Sequence, residues 1–192
     1  MDDRRIDEAS RGIRRPGIRP RPSLWRRLDM SARRGFPFTS TAILLLLLAA
    51  PLGLDAQAAL QGAVALACVF FWSLYRPASM PPLAVFLLGV LADLLSDAPL
   101  GVAVLTLLLM HGIAMRSRRH LARQGFLTVW LVFATLALTA GLLQWLLTAA
   151  LTFRLLPPGP GLFIGILAAG LYPLLAVPLI RAHQTLAEPD HA

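Results

Sequence analysis

The stretch GFLTVWLVFATLALTAGLLQWLLTAALTF, Gly125 to Phe153, runs for 29 residues without an Asp, Glu, Lys or Arg. About 20 apolar residues suffice to cross the hydrocarbon core of a bilayer as a helix. The apolar residues are continuous, not alternating, so the stretch reads as a helix and not as a barrel strand. Lipid offers the backbone no hydrogen bonds, and a helix satisfies its own.

Outward from this stretch the same character persists. From Phe36 to Leu179 the chain is almost continuously apolar, broken by two short polar turns and the basic Arg116–Arg123 segment. The 192 residues are 57% hydrophobic and 15% charged. These values predict an all-α, polytopic integral membrane domain of about six transmembrane helices over residues 36–182. Residues 1–35 are rich in Arg and Pro and predict a disordered cytoplasmic tail. Within that tail, Leu24-Trp25-Arg26-Arg27-Leu28 has the pattern of a short amphipathic turn at a membrane surface. Residues 183–192 form a second, short tail.

The predicted spans run from Phe36 to Leu54, Ala58 to Tyr75, Leu83 to Leu95, Pro99 to Met115, Gly125 to Phe153 and Leu162 to Ile180. The third is short for a bilayer and the fifth is long. Pro157-Pro158-Gly159-Pro160-Gly161 predicts a turn. Six spans place both termini on one side. The N-terminal tail, Arg76, Arg116–Arg123 and Arg181 then lie together, while Asp55, Asp97 and Arg154 lie opposite. The excess of Arg assigns the first side to the cytoplasm.

The net charge of +8 is mostly the contribution of the first 34 residues. A basic tail beside a membrane domain meets anionic membrane lipid, and no nucleic-acid partner follows from it. Ala32-Arg33-Arg34-Gly35-Phe36 with Ala56-Gln57-Ala58 has the outline of a cleavable export signal. About five further spans follow it, which argues for a retained first helix.

Asp93 is the one carboxylate inside a predicted span. A charge in lipid is expensive, which marks it as a functional candidate. It also lies a turn from Ser96 and Asp97, where a carboxylate can serve the opening of the next helix, and both readings stand. Asp97 is placed to cap the fourth span. Gly89, four residues before Asp93, shares its helix face and admits a close neighbour. Gly161, Gly165 and Ala169 form a small-residue stripe in the sixth span, a packing seam within the chain or between chains. Pro173 frees a carbonyl in that span for a cavity or a neighbouring helix. Cys68 reads as packing. His111 has no second ligand at metal spacing, and Gln61 and Gln144 read as uncharged links between helices. No H-E-x-x-H, G-x-S-x-G or Walker A motif is present, and no cofactor or catalytic constellation is predicted.

Trp72, Tyr75-Arg76-Pro77 and Pro81, followed by Gly89-Val90-Leu91-Ala92-Asp93-Leu94-Leu95-Ser96-Asp97-Ala98-Pro99-Leu100-Gly101, resemble the rod shape-determining protein MreD family. Gly170-Leu171-Tyr172-Pro173 is similar to the aromatic-Pro element of that family's last span. The resemblance covers residues 36–182, and the long Arg/Pro-rich tail departs from it. It implies a non-enzymatic subunit of the bacterial elongation machinery. The implied partners are an MreC-like bitopic protein, the MreB filament, a RodA-type glycosyltransferase and a class B penicillin-binding protein. It implies a fold resembling the six-helix substrate-binding subunits of energy-coupling-factor transporters. A small-molecule, vitamin-type transport subunit, its pocket opening near Asp93 and Asp97, is the alternative. The partner- or cavity-lining candidates are Gly89, Asp93, Asp97, Gly101, Arg76, Gly165 and Pro173.

Overall fold

The computed structural model describes residues 24–50, 53, 56–96, 98–154 and 157–187. The chain divides between Ser31 and Ala32, and the helical bundle is built within the second unit. Among the described residues all regular structure is helical. Six α-helices follow in order: α1 Leu24–Ala49, α2 Gln57–Tyr75, α3 Pro82–Leu95, α4 Val102–Leu121, α5 Phe126–Thr152 and α6 Gly159–Ala187. A 3₁₀ turn, Pro77–Ser79, separates α2 from α3.

Three helices are long and apolar enough to cross a membrane: α2, α5 and the Gly159–Ala182 part of α6. The Arg34–Ala49 part of α1 and all of α3 are apolar but shorter. At 14 residues α3 is about 21 Å long, less than the hydrocarbon thickness. The charged end of α4 interrupts its apolar character.

α2 is the central post. It packs against α3, α4, α5 and α6. Its apolar window is 72% buried, against 28% for α5 and 22% for α6. The reason is legible in its side chains. Ala63, Ala65, Ala67 and Cys68 admit neighbours on several faces, and Phe70, Phe71 and Trp72 fill the wider end. On the outer helices Leu46, Leu47, Leu83, Leu94, Leu131, Leu146, Ile166 and Leu174 are exposed. In water so much apolar surface would drive association; in lipid it is ordinary.

The boundaries correct the sequence reading in four places. Leu24–Gly35, assigned to a disordered tail, is helical and continuous with the first apolar segment. Leu and Arg are good helix formers, and extending an existing helix gains a bond per residue. The expected basic loop is largely helix, because α4 continues to Leu121 through Arg116, Arg118 and Arg119. Cations favour a helix C-terminus. The expected turn at Pro157–Gly161 is partly α6, which starts at Gly159 with Pro160 in its first turn, where a missing N–H costs nothing. At its other end α6 runs on to Ala187, past the expected boundary at 182. The expectations for residues 1–23, Asp55, Asp97 and residues 188–192 lie outside the described residues.

Candidate functional site

Asp93 lies in the last turn of α3 and is 2% exposed. Its carboxylate reaches across to the start of α4. Oδ2 accepts from the amides of Gly101 at 2.8 Å and Val104 at 3.3 Å, and Oδ1 accepts from Ala103 at 2.8 Å. A helix opens with amides that have no partner inside the helix. Here each is satisfied, because the remaining one, on Val102, donates to Pro99 O at 3.3 Å. The partial positive charge of the helix start also favours the buried carboxylate. Asp93 is therefore a cap supplied by a neighbouring helix.

Two glycines make that cap reachable. Gly89 sits one turn earlier on α3. A Cβ there would lie 2.5 Å from Val104 Cα and 3.0 Å from Val104 N. Val104 is thus approached by Gly89 and hydrogen-bonded by Asp93. Gly101 turns the chain into α4 with φ +99°, a left-handed conformation that costs an L side chain strain. Gly89, Asp93 and Gly101 form one device, a locked α3–α4 hairpin. Ser96 closes α3 behind it, its Oγ donating to Asp93 O at 3.3 Å.

The second close approach is between α5 and α6. Gly141 meets Gly161, where a Cβ on Gly161 would lie 2.6 Å from Gly141 O. A Cβ on Gly165 would lie 2.7 Å from Leu138 Cα and 2.9 Å from Ala137 O. The pairing is small-xxx-small on both helices, Ala137 and Gly141 against Gly161 and Gly165. The stripe on α6 is thus a seam within the chain over Gly161 and Gly165. Its counterpart, Gly141 with Ala137, went unread in the sequence, although their spacing carried the signal.

Pro173 has no amide to offer Ala169 O, the acceptor one turn before it. Trp130 Nε1 of α5 donates to that oxygen at 2.9 Å. The freed carbonyl finds a neighbouring helix. Beside it, Tyr172 stacks on Phe133 at 4.4 Å between ring centroids, and Phe70 lies 5.0 Å from Phe133. The aromatic-Pro element is a junction of α2, α5 and α6.

Midway along α4, Ser73 Oγ donates to Val69 O at 2.5 Å and lies 2.7 Å from His111 Nδ1. The Ser73–His111 hydrogen bond joins α2 to α4. His111 is a link between helices. Arg118 Nε donates to Leu74 O at 3.2 Å, and Arg76 closes α2 through its amide to Trp72 O at 2.8 Å. Gln61 Nε2 donates to Leu45 O at 3.3 Å and ties α2 to α1.

A cavity of about 240 Å³ lies between the starts of α4 and α6 and the second half of α5. Gln144 and Thr148 are among its lining residues, with Val102, Pro160 and Ile164. Asp93 does not line it, and both of its oxygens are already engaged by amides. Among the described residues no group of three His, Cys, Asp or Glu side chains is placed to hold a metal ion.

No protein-family model, curated protein or solved structure matches this chain.

Proposed function

We propose that this chain is a non-enzymatic inner-membrane component of the bacterial cell-elongation complex. In this reading it is a multi-pass protein with both termini in the cytoplasm. It binds partner membrane proteins and supports localised peptidoglycan synthesis and cell shape. Its partners are an MreC-like bitopic protein and, through it, the MreB filament, a RodA-type glycosyltransferase and a class B penicillin-binding protein. The observation that carries the reading is the α3–α4 hairpin. Gly89, Asp93 and Gly101, three residues of the motif that resembles the MreD family, act together on one helix start. Asp93 is engaged by backbone, which favours a shaped surface over chemistry at that carboxylate. Apolar faces such as that bearing Leu83, Phe86, Leu87 and Leu94 on α3 are exposed and suit partner helices.

Depletion of the protein in its native cell tests this reading through cell width. Rounded, widening cells, with an MreC-like partner co-purifying, are the expected result. Unchanged cell shape with a lost vitamin uptake would overturn it.

That second outcome belongs to the alternative, a substrate-binding subunit of a vitamin-type transporter. The cavity with Gln144 and Thr148 is its support. At about 240 Å³ it falls below the roughly 300–1,000 Å³ of small-molecule sites, which places this reading second.

A further inference from the structure

The C-terminal end of α4 carries Arg116, Arg118 and Arg119, and Arg123 follows in the turn to α5, all four exposed. Arg118, Arg119, Ala122 and Arg123 line a cleft of about 570 Å³. Three features of the cleft ask for a ligand. First, the arginines are not needed as helix caps. The carbonyls of Arg118, His120 and Leu121 already accept backbone amides from Ala122, Arg123 and Gln124 at 2.9–3.3 Å. Second, the part of the bundle whose side chains are described, from Arg34 onward, places no carboxylate beside the arginines. Among the described residues from Arg34 onward Asp93 is the one acidic side chain, and it lies at the opposite end of α4, about 30 Å away along a 20-residue helix. Third, Arg118 is held in place. Its Nε donates to Leu74 O at 3.2 Å, which leaves the terminal nitrogens of a fixed fork for an anion.

The surroundings select the anion. Directly past the turn, Phe126 and Leu127 are 52% and 65% exposed, and Ile113 and Met115 are exposed just before the arginines. Along the chain the arginines are therefore flanked on both sides by apolar, outward-facing side chains. This is the layout of an amphiphile, with a phosphate over the arginines and acyl chains along the neighbouring helices. A soluble acidic segment would have no use for the apolar flanks.

We propose that the cleft at Arg118, Arg119 and Arg123 is a specific binding site for the phosphate of an anionic phospholipid. This deepens the membrane placement in the reading above and is independent of any role in cell shape.

The test uses the full chain purified in neutral detergent, with lipid binding followed by native mass spectrometry and thermal unfolding. Phosphatidylglycerol is the probe, with phosphatidylcholine, inorganic phosphate and a poly-glutamate peptide as comparisons. Phosphatidylglycerol is expected to bind and raise the unfolding temperature, and phosphatidylcholine is not. A paired cation near a membrane surface contributes about five-fold in affinity, so Arg119→Gln with Arg123→Gln should weaken phosphatidylglycerol binding about twenty-five-fold. Arg154→Gln, which removes one charge at the far end of α5, should leave it unchanged. The substituted side chains are exposed, and an unchanged circular dichroism spectrum confirms that the double variant folds. Equal binding by the double variant and the unaltered protein would overturn the site. Equal protection by inorganic phosphate would assign it to a soluble anion, and preferential binding of poly-glutamate to an acidic protein segment. Either would overturn the lipid assignment. Cell-shape defects on depletion bear on none of these outcomes, so the two readings fail separately.

Discussion

The α3–α4 hairpin and the α5–α6 pair bring two helices equally close and hold them by different means. In both, glycine removes the side chain that would keep the backbones apart. In the hairpin, a carboxylate then ties the two helices through three backbone amides. In the α5–α6 pair the glycines let the two backbones pack directly, and the Trp130 indole adds a hydrogen bond further along. In lipid, where apolar association has little hydrophobic drive, a small-residue seam depends on van der Waals contact. A charge-assisted cap adds direction, because it fixes where α4 begins and how it is rotated against α3. The difference teaches that close packing alone does not set register in a uniformly apolar chain.

If that is right, the two regions should fail differently. The largest loss is expected from Asp93→Leu, which leaves three amides of α4 without an acceptor at a cost of about 4 kcal/mol. Asp93→Asn keeps one acceptor oxygen and should lose about half as much. Unfolding titrations of the purified protein compare them, and co-purification with the MreC-like partner should fall in the same order. Equal, wild-type-like behaviour of both variants would remove Asp93 from the site. Gly141→Ala forces a methyl group against the backbone of α6 and should cost about 3 kcal/mol. Unlike the Asp93 variants, it should leave hydrogen exchange at the start of α4 unchanged. Gly89→Ala should cost about 2 kcal/mol and, because it pushes Val104 away, should accelerate exchange of the Ala103 and Val104 amides. Trp130→Phe removes one indole donor and should cost about 1 kcal/mol by thermal unfolding. The finest test is a double-mutant cycle. Pro173→Ala gives Ala169 O an amide of its own helix, so the Trp130→Phe cost should shrink to below about 0.5 kcal/mol in that background. An unchanged cost would mean that Pro173 does not govern the Trp130 bond.

Hydropathy and arginine placement, read along the chain, were enough for an all-helical protein with helices long and apolar enough to cross a membrane, and for the starts of α2, α3 and α5. They were enough because lipid compatibility is a property of composition over about 20 residues. Gly89, Asp93 and Gly101 were also legible, as a local pattern of small, acidic and turn-forming residues. The end of α4 was not. Arg116–Arg119 reads as loop by polarity and is helix by propensity and dipole, and polarity alone does not separate the two.

Partnerships were decided by the tertiary structure. A carboxylate four residues from a glycine does not say whether its oxygens face a ligand or an amide; the approach of α4 settles that for Asp93. Pro173 announces a free carbonyl, but only the placement of α5 supplies Trp130 to it. Gly141 is one small residue in an apolar run until α6 lies across it. The sequence by itself determined which segments are apolar enough to lie in lipid, because that depends on each segment's own chemistry. Which atoms meet depends on the distances between segments far apart in the chain, and those exist only once the helices have packed.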